Sequence, residues 1–471
     1  MLKYLPSYFS NRGILLFILS IISVNLIFRN YALHTMWWFF GIIEVSGFFF
    51  FANYLSKLWS NITPKSFTKN VFITALVLRV IWVFFSYVFY QNMTGQAFEF
   101  NTADALHYHQ VGEYISEYQG FNAVWAELTA YFSRSGISDM GYSLYLVYMY
   151  KIFGVGLIIP RLVKAVLLAY ICVLIYKLGK RNFGEVAGRL GAIFCMLMPN
   201  LIHYSGLHLK EPEMVFLTVW FIERADLLFR NKKYTFNTIA PVFFIAISLF
   251  FFRTILGITA VFAVFTTLMF SSNRVMKMGK RLILTIWIVI SIVFFVGGKM
   301  LNEISVLWED RKTNQSTTLE WRSTMKGGNK FAKYAGGAVF APLIFTLPFP
   351  TLVETPKQEE MRLLAGGNFV KDVLAFFTIF SLFWIIKEKK WRDYLLIGSF
   401  TLGYLAIIAV SAFAQSERFH LPTLPFLLLF AGFGVSMSTN KTKMYFNWWI
   451  VLIFAILIGW NWFKLAGRGF A

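Results

Sequence analysis

The feature that most constrains this chain is a series of apolar stretches, each close to the length of a bilayer crossing, separated by short basic segments. A transmembrane helix needs about 17–25 mostly apolar residues. We therefore predict an all-α integral membrane protein, a single polytopic domain over residues 1–471 with about 13 transmembrane helices. The predicted spans are 13–28, 35–55, 70–90, 158–176, 184–206, 211–229, 236–252, 255–272, 281–297, 370–386, 393–413, 419–437 and 445–463.

The composition excludes a water-soluble protein. Hydrophobic residues make up 58% of the chain and charged residues only 14%, whereas soluble domains carry about 25% charged residues. The net charge of +21 indicates contact with anionic membrane lipids and no nucleic-acid partner, because the Lys and Arg residues lie in short loops between apolar spans. Cys172 and Cys195 both lie inside predicted spans and indicate neither a disulfide framework nor a metal cluster.

The distribution of basic residues predicts the orientation of the chain. Under the positive-inside rule the basic loops are cytoplasmic, which gives a cytoplasmic N-terminus, an external C-terminus and a multi-pass protein of the plasma (inner) membrane. The loops concerned carry Lys57, Lys65 and Lys69; Lys177, Lys180 and Arg181; Arg230, Lys232 and Lys233; Arg274 to Arg281; Lys387 to Arg392; and Lys441 and Lys443.

Three segments then fall on the exterior. Residues 91–140 form a first outer loop with interfacial helices, and residues 298–369 form a second outer loop. Residues 141–157 are apolar, yet both of their ends must lie outside for the later basic loops to stay cytoplasmic. We predict a re-entrant or interfacial helix there, packed against protein as non-spanning segments at membrane depth must be.

Candidate catalytic groups begin in the first outer loop. Asp104 could act as a general base or as the ligand of a divalent metal ion. On a helix it shares a face with His107, three residues later, which makes His107 a candidate substrate-binding residue. The alternative is that Asp104 is an ordinary solvated acid.

A second group lies in the short segment before the predicted span at 211–229. It contains His208, Lys210 and Glu211. Ionisable groups at the mouth of a transmembrane helix are costly and often functional, so Glu211 is a candidate second acid and the other two are candidate substrate ligands. The alternative is that Lys210 and Glu211 pair with each other and cap the following helix.

Three further residues could bind phosphate. Arg253 interrupts a run of Phe, Ile and Leu residues at an outward-facing turn, where its cation suits a lipid phosphate; the alternative is that its side chain merely reaches the interface. Arg418 and His420 precede another span and supply hydrogen-bond donors for a phosphate or pyrophosphate. For Arg418 the alternative is a pair with Glu417.

These candidates together predict one outward-facing site, because they come from separate outer loops. We expect no comparable combination of acids and cations in the cytoplasmic loops. A carboxylate that activates a nucleophile, next to cations that hold a phosphate, suits a reaction with a lipid-phosphate leaving group.

The segments GYSLYLVYMYKIFG, MPNLIHYSGLHLKEPEMVFL and ERFHLPTLPFLLL resemble the GT-C fold membrane glycosyltransferases, a group that includes protein O-mannosyltransferase-like and aminoarabinose-transferase-like enzymes. The resemblance covers roughly residues 70–440. It implies a polyprenyl-phosphate sugar donor, an outward active site and an acidic residue in the first outer loop, at Asp104. Many relatives carry paired acids there, whereas Ala105 follows Asp104 here, which weakens a metal site.

The resulting hypothesis is a glycosyltransferase that moves a hexosyl or pentosyl group from a polyprenyl-phosphate donor to a glycan or lipid-linked acceptor, with inversion implied by the resemblance. No cofactor is predicted apart from the divalent metal ion considered for Asp104. Two alternatives stay open. One is a Wzy-like polysaccharide polymerase or O-antigen ligase, which would use a pyrophosphate-linked glycan and depend more on arginines. The other is a lipid-linked sugar flippase or other transporter, which would need more charged residues within the spans than the sequence carries.

Overall fold

The chain folds into a bundle of helices. The computed structural model describes residues 2–100, 102–133, 137–230, 235–270, 343–356, 358–409 and 414–466. Within these ranges the α-helices are α1 (Ser7–Ile27), α2 (Thr35–Leu58), α3 (Pro64–Thr94), α4 (Asp104–Ser116), α5 (Phe121–Tyr131), α6 (Met140–Phe153), α7 (Ile158–Phe183), α8 (Glu185–Leu197), α9 (Pro199–His203), α10 (Glu211–Arg230), α11 (Phe236–Phe252), α12 (Thr254–Phe270), α13 (Glu359–Leu363), α14 (Ala365–Lys387), α15 (Leu395–Ala409), α16 (Glu417–His420), α17 (Leu424–Ser436) and α18 (Asn440–Ala466).

The helices of the described part agree in position with most of the predicted spans. Eight are long and apolar enough to cross a bilayer, or nine if the bent pair α8–α9 is one span. Helices α11 and α12 are apolar but only 17 residues long, and the 20-residue α10 carries several ionisable side chains. The predicted span at 281–297 lies outside the described residues. The chain is thus a multi-pass membrane protein, and the total of about 13 spans stays a prediction.

The helix ends fall into two sets at opposite ends of the bundle. At one end the N-terminal segment meets the ends of α17 and α2: the Leu2 amide donates to the Ser436 carbonyl over 2.8 Å, and the Leu5 amide to the Ser56 hydroxyl over 3.0 Å. At the other end Tyr90, near the end of α3, donates to Glu360 in α13 over 2.8 Å. An up-and-down path produces this grouping. The assignment of one end to the cytoplasm stays a prediction from the basic loops.

Residues 184–206 are not one straight helix. Helices α8 and α9 meet at an angle of 53°, and α9 begins at Pro199. Proline has no N–H, so the Cys195 carbonyl loses its helical donor four residues later. The fully buried Arg79 of α3 compensates, since its Nη2 donates to the Cys195 carbonyl over 3.1 Å and its Nη1 to the Met196 carbonyl over 3.3 Å.

Three helices come between α3 and α7. Helices α4, α5 and α6 share a small apolar core of their own, which includes Ile115, Leu128 and Val147 together with Phe250 of α11. At 14 residues, or about 21 Å, α6 is too short to cross the hydrocarbon layer. It covers the predicted segment 141–157 in part, and its re-entrant or interfacial character stays a prediction. Most of the predicted second outer loop, 298–369, lies outside the described residues.

Candidate functional site

Three of the predicted site residues converge. Arg418, at the start of α16, donates from Nη1 to Oδ2 of Asp104 over 2.7 Å. Its Nε and Nη2 both lie 3.0 Å from Oε1 of Glu211. These residues come from three distant segments, and one guanidinium group joins two carboxylates. The sequence alternative of an Arg418–Glu417 pair is not what forms, since Glu417 instead accepts a hydrogen bond from Asn200.

The two carboxylates differ in their surroundings. Glu211 is the first residue of α10, where a negative charge is favoured by the helix dipole, and its side chain is 0% exposed. Asp104 is the first residue of α4, and its side chain is 52% exposed. Arg418 is intermediate at 29%. Glu211 therefore contacts Arg418 from the buried side, and Asp104 contacts it from the solvent-exposed side. Asp104 is the partner that a ligand could displace.

A second charged group lies beside the first. Lys210 forms an ion pair with Asp139, the residue before α6, and also donates to the Phe252 carbonyl over 3.0 Å. Burial raises the pKa of Asp139, but the Lys210 charge and hydrogen bonds outweigh it and hold the pKa below the ordinary value. The alternative of a Lys210–Glu211 pair is therefore not adopted. Lys210 joins the segment before α10 to the end of α11 and to the start of α6.

Arg253 lies in the same region. Its guanidinium carbon is 4.2 Å from the ring centroid of Phe419, the residue after Arg418. Its charge also contributes to the low pKa of Asp139 and, after burial, to the lowered pKa of Lys210. The Nη1 atom of Arg253 is buried and has no hydrogen-bond partner among the described residues. One strong donor next to Arg418 is thus left for a ligand.

Tyr108 connects the two groups. It lies one turn after Asp104 on α4, and its hydroxyl donates to Oδ1 of Asp139 over 2.9 Å. Burial raises the pKa of Tyr108, and the negative charges of Asp139, Glu211 and Asp104 raise it further. The tyrosine is therefore surrounded by all three carboxylates and stays a neutral donor.

The three predicted histidines do not join this cluster. His107 is exposed on α4 and packs against the Tyr131 ring at 5.9 Å between centroids. His208 is buried, with Nε2 3.0 Å from the Tyr150 hydroxyl, which in turn lies 2.7 Å from Nδ1 of His109. Nε2 of His420 donates to the Ala414 carbonyl over 2.8 Å. His208 and His420 thus serve internal hydrogen bonds, and a substrate-binding role for the three stays a prediction.

A metal site at Asp104 gains no support from its neighbours. In the part of the chain that the structure describes, no group of three or more His, Cys, Asp or Glu side chains is placed to hold a metal ion. The nearest partner of Asp104 is a guanidinium group. A cation already fills the position between the Asp104 and Glu211 carboxylates.

The expectation that only the outer loops combine acids and cations is wrong. At the opposite end of the bundle Arg181 contacts Glu223 over 3.0 Å and Asp226 over 2.8 Å. Asp226 and Glu211 are on the same helix, separated by about 22 Å at a rise of 1.5 Å per residue. The helix that brings Glu211 to the site thus also carries acids that neutralise the basic loops. The site end differs in exposure: Arg418 is shared between the buried Glu211 and the half-exposed Asp104, whereas both carboxylates that contact Arg181 are buried.

Sequence reasoning missed two members of the cluster. Tyr108 was not a candidate, although it is four residues after Asp104 and therefore on the same helical face. Asp139 was not a candidate either, although it lies at the end of the predicted first outer loop, directly before the apolar segment 141–157. Both signals depend on knowing that 104–116 is a helix and that 140 begins another.

Fold and site together define an integral membrane protein with a charged cluster at one end of its helical bundle. No protein-family model matches the chain, and no curated protein is similar to it in sequence. Among solved structures, it is similar to the crystal structure of ArnT from Cupriavidus metallidurans bound to undecaprenyl phosphate, with 12% identity and a TM-score of 0.48 over 86% of this chain and 73% of that chain. ArnT is a GT-C glycosyltransferase, the fold family that the sequence resembles.

Proposed function

We propose that the protein is a membrane glycosyltransferase that moves a sugar from a polyprenyl-phosphate-linked donor to a lipid-linked or surface glycan acceptor on the outer face of the plasma membrane. The observation that carries the proposal is the convergence of Asp104, Glu211 and Arg418, with Arg253 beside them, at one end of the bundle. This is also the activity that the sequence resemblance implied.

Arg418 and Arg253 are the donor-phosphate ligands in this proposal. Without a donor, Arg418 is neutralised by Asp104 and Glu211, while the buried Nη1 of Arg253 has no hydrogen-bond partner in the part of the chain that the structure describes. A phosphate that binds both arginines would supply the missing acceptor to Arg253 and replace Asp104 on the open side of Arg418. Guanidinium groups suit this role because their planar arrangement of donors matches phosphate oxygens.

Displacement from Arg418 would leave the Asp104 carboxylate free to act as a general base. Asp104 takes the proton from an acceptor hydroxyl as the oxygen forms a bond to the anomeric carbon. The bond from that carbon to the phosphate oxygen breaks, and polyprenyl phosphate leaves with the electron pair, stabilised by the two arginines. Attack opposite the leaving group inverts the configuration. Glu211 keeps Arg418 in position from the buried side and is a positioning residue.

The proposal is tested by binding and transfer assays on purified protein in lipid nanodiscs. Undecaprenyl phosphate should bind the wild-type protein and should bind the Arg418→Ala and Arg253→Ala variants more weakly. The Asp104→Asn variant should bind the lipid but fail to transfer sugar. Normal transfer by Asp104→Asn with loss in both arginine variants would instead favour the polymerase or ligase alternative. A deletion strain that accumulates lipid capped with a single repeat unit would do the same.

A further inference from the structure

A cleft of about 460 Å³ lies along the segment between α3 and α4. It is lined by Met93, Thr94, Gln96, Glu99, Phe100, Thr102 and Glu359. Its volume falls in the range of about 300–1,000 Å³ that is usual for small-molecule sites. Met93, Thr94 and Gln96 at its rim are exposed, while Glu99 is 8% exposed. The cleft is thus open to solvent at one side and has a buried acid on its wall.

The Glu99 carboxyl group is incompletely bonded. Oε1 accepts from the Thr102 hydroxyl over 3.4 Å, and Oε2 is buried with no hydrogen-bond partner among the described residues. A buried polar atom without a partner is destabilising, so a ligand that donates to Oε2 would remove that cost. Burial raises the pKa of Glu99 to about 7, so much of it is uncharged near neutral pH.

The charges around the cleft differ from those of the phosphate ligands. Glu99 and Glu359 line it, and Glu359 pairs with Arg362 over 3.2 Å. Glu360, the next residue, accepts hydrogen bonds from Tyr90 and His203. Carboxyl oxygens accept hydrogen bonds from hydroxyl groups, whereas a phosphate presents mainly acceptor oxygens of its own. The lining therefore favours a hydroxyl-rich ligand over the anionic donor.

The cleft is also close to the reacting groups. Its wall segment runs directly into α4, with Thr102 two residues and Glu99 five residues before Asp104. The charge of Arg418 acts on Glu99. A ligand in the cleft would thus contact the segment that leads into α4, which begins at the proposed base Asp104.

We propose that this cleft binds the acceptor as an uncharged, hydroxyl-rich sugar, and that Glu99 accepts hydrogen bonds from the hydroxyl groups of that sugar. The role of this sugar as the acceptor rests on the proposed function, but binding of the sugar can be measured without turnover. Glu99 is then a binding residue that selects hydroxyl groups, and Phe100 forms an apolar side of the same wall.

The test is equilibrium binding of a panel of neutral methyl glycosides and short neutral oligosaccharides to the full chain in nanodiscs. We expect at least one to bind, Glu99→Ala to weaken it about 10-fold or more, and Glu99→Gln to stay within a few-fold of wild type because the amide still accepts a hydrogen bond. Glu117, exposed on the same outer segment and not part of the cleft lining, provides the control. Glu117→Ala should bind like wild type.

A second variant separates loss of sugar binding from misfolding caused by substitution of the buried Glu99. Gln96 is exposed at the rim, so Gln96→Trp should leave thermal stability unchanged and block sugar binding. The proposal is overturned if no glycoside of the panel binds, if Glu99→Ala binds as wild type does, if Glu117→Ala loses binding equally, or if Gln96→Trp leaves binding unchanged. Undecaprenyl phosphate binding separates the two proposals: Glu99→Ala should keep it, whereas its retention by Arg418→Ala would contradict the proposed function alone.

Discussion

Nε and Nη2 of Arg418 both lie 3.0 Å from the same oxygen, Oε1, of Glu211, a residue 207 positions earlier in the chain. The glutamate is fully buried and the arginine is partly exposed. The buried Glu211 carboxylate is stabilised by the positive charge of Arg418. The third guanidinium nitrogen, Nη1, contacts the half-exposed Asp104. One residue thus joins the interior of the bundle to its open site.

Removing Arg418 should therefore destabilise the protein as well as weaken donor binding. Loss of one partner of a buried ion pair costs about 3–5 kcal/mol, so Arg418→Ala should lower the thermal midpoint. Adding Glu211→Gln should restore much of that stability, since the uncompensated charge is gone, but should not restore undecaprenyl phosphate binding. Equal stability of Arg418→Ala and wild type would show that Glu211 does not depend on this cation.

Asp104→Asn should reduce sugar transfer by about 10²–10⁴-fold, the range for loss of a general base. Its effect on stability should stay below about 1 kcal/mol because the pair with Arg418 is solvent-exposed on the Asp104 side. Initial rates and thermal unfolding in parallel give both quantities. Glu117→Gln serves as the matched control and should transfer normally; a rate for Asp104→Asn near that of the control would remove Asp104 from the chemistry.

Arg253→Ala should weaken undecaprenyl phosphate binding by about 1.5–3 kcal/mol, the range for a hydrogen bond to a charged group. Arg253→Lys should be damaging too, since lysine has no planar group to lie over the Phe419 ring and to bond a phosphate in two directions. Arg29 is exposed in the turn after α1, and Arg29→Ala should bind the lipid normally. Full binding by Arg253→Lys would support a residue that merely reaches the interface.

Glu99 should make stability depend on pH. Because its pKa is raised from 4.5 to about 7, the folded protein holds a proton that the unfolded chain releases, and stability should fall as pH rises from 4.5 to 7. The loss is at most about 3.5 kcal/mol, at about 1.4 kcal/mol for each pKa unit. Besides burial, Glu360 raises this pKa and Arg161 and Arg418 lower it, while Thr102 hydrogen-bonds the carboxyl group.

Thermal midpoints between pH 4.5 and 8 test this dependence. Glu99→Gln cannot ionise and should flatten the fall, with its largest gain over wild type above pH 7. Parallel curves for the two proteins would mean that Glu99 ionises normally in the folded state.

The predicted orientation is tested by reporter fusions. Fusions after Lys180, Lys233 or Lys390 should report a cytoplasmic location, and a fusion within residues 298–369 an external one. If a fusion at residue 310 reports the cytoplasm, the second predicted outer loop and the external position of the site are both wrong.

The sequence by itself determined the membrane-spanning architecture of this protein. Apolar stretches with basic residues between them are local properties, because burial of a backbone in lipid requires helices wherever the side chains are apolar for long enough. The same patterns identified Asp104, Glu211, Arg253 and Arg418 as polar groups at helix mouths, since ionisable side chains near hydrocarbon are rare.

Only the tertiary structure decided which of these groups meet. Glu417 is next to Arg418 in sequence, yet Arg418 forms its ion pairs with Glu211 and Asp104. The first pair forms because α10 packs against the segment after Arg418, and the second because α4 begins beside it. Lys210 likewise pairs with Asp139 and not with its sequence neighbour Glu211. A charged pair requires its N and O atoms to lie within about 4 Å of each other. No periodicity within one helix encodes how two helices are placed relative to each other. For the same reason the cleft at Glu99 and the bend at Pro199, closed by Arg79, were recognisable only in the folded chain.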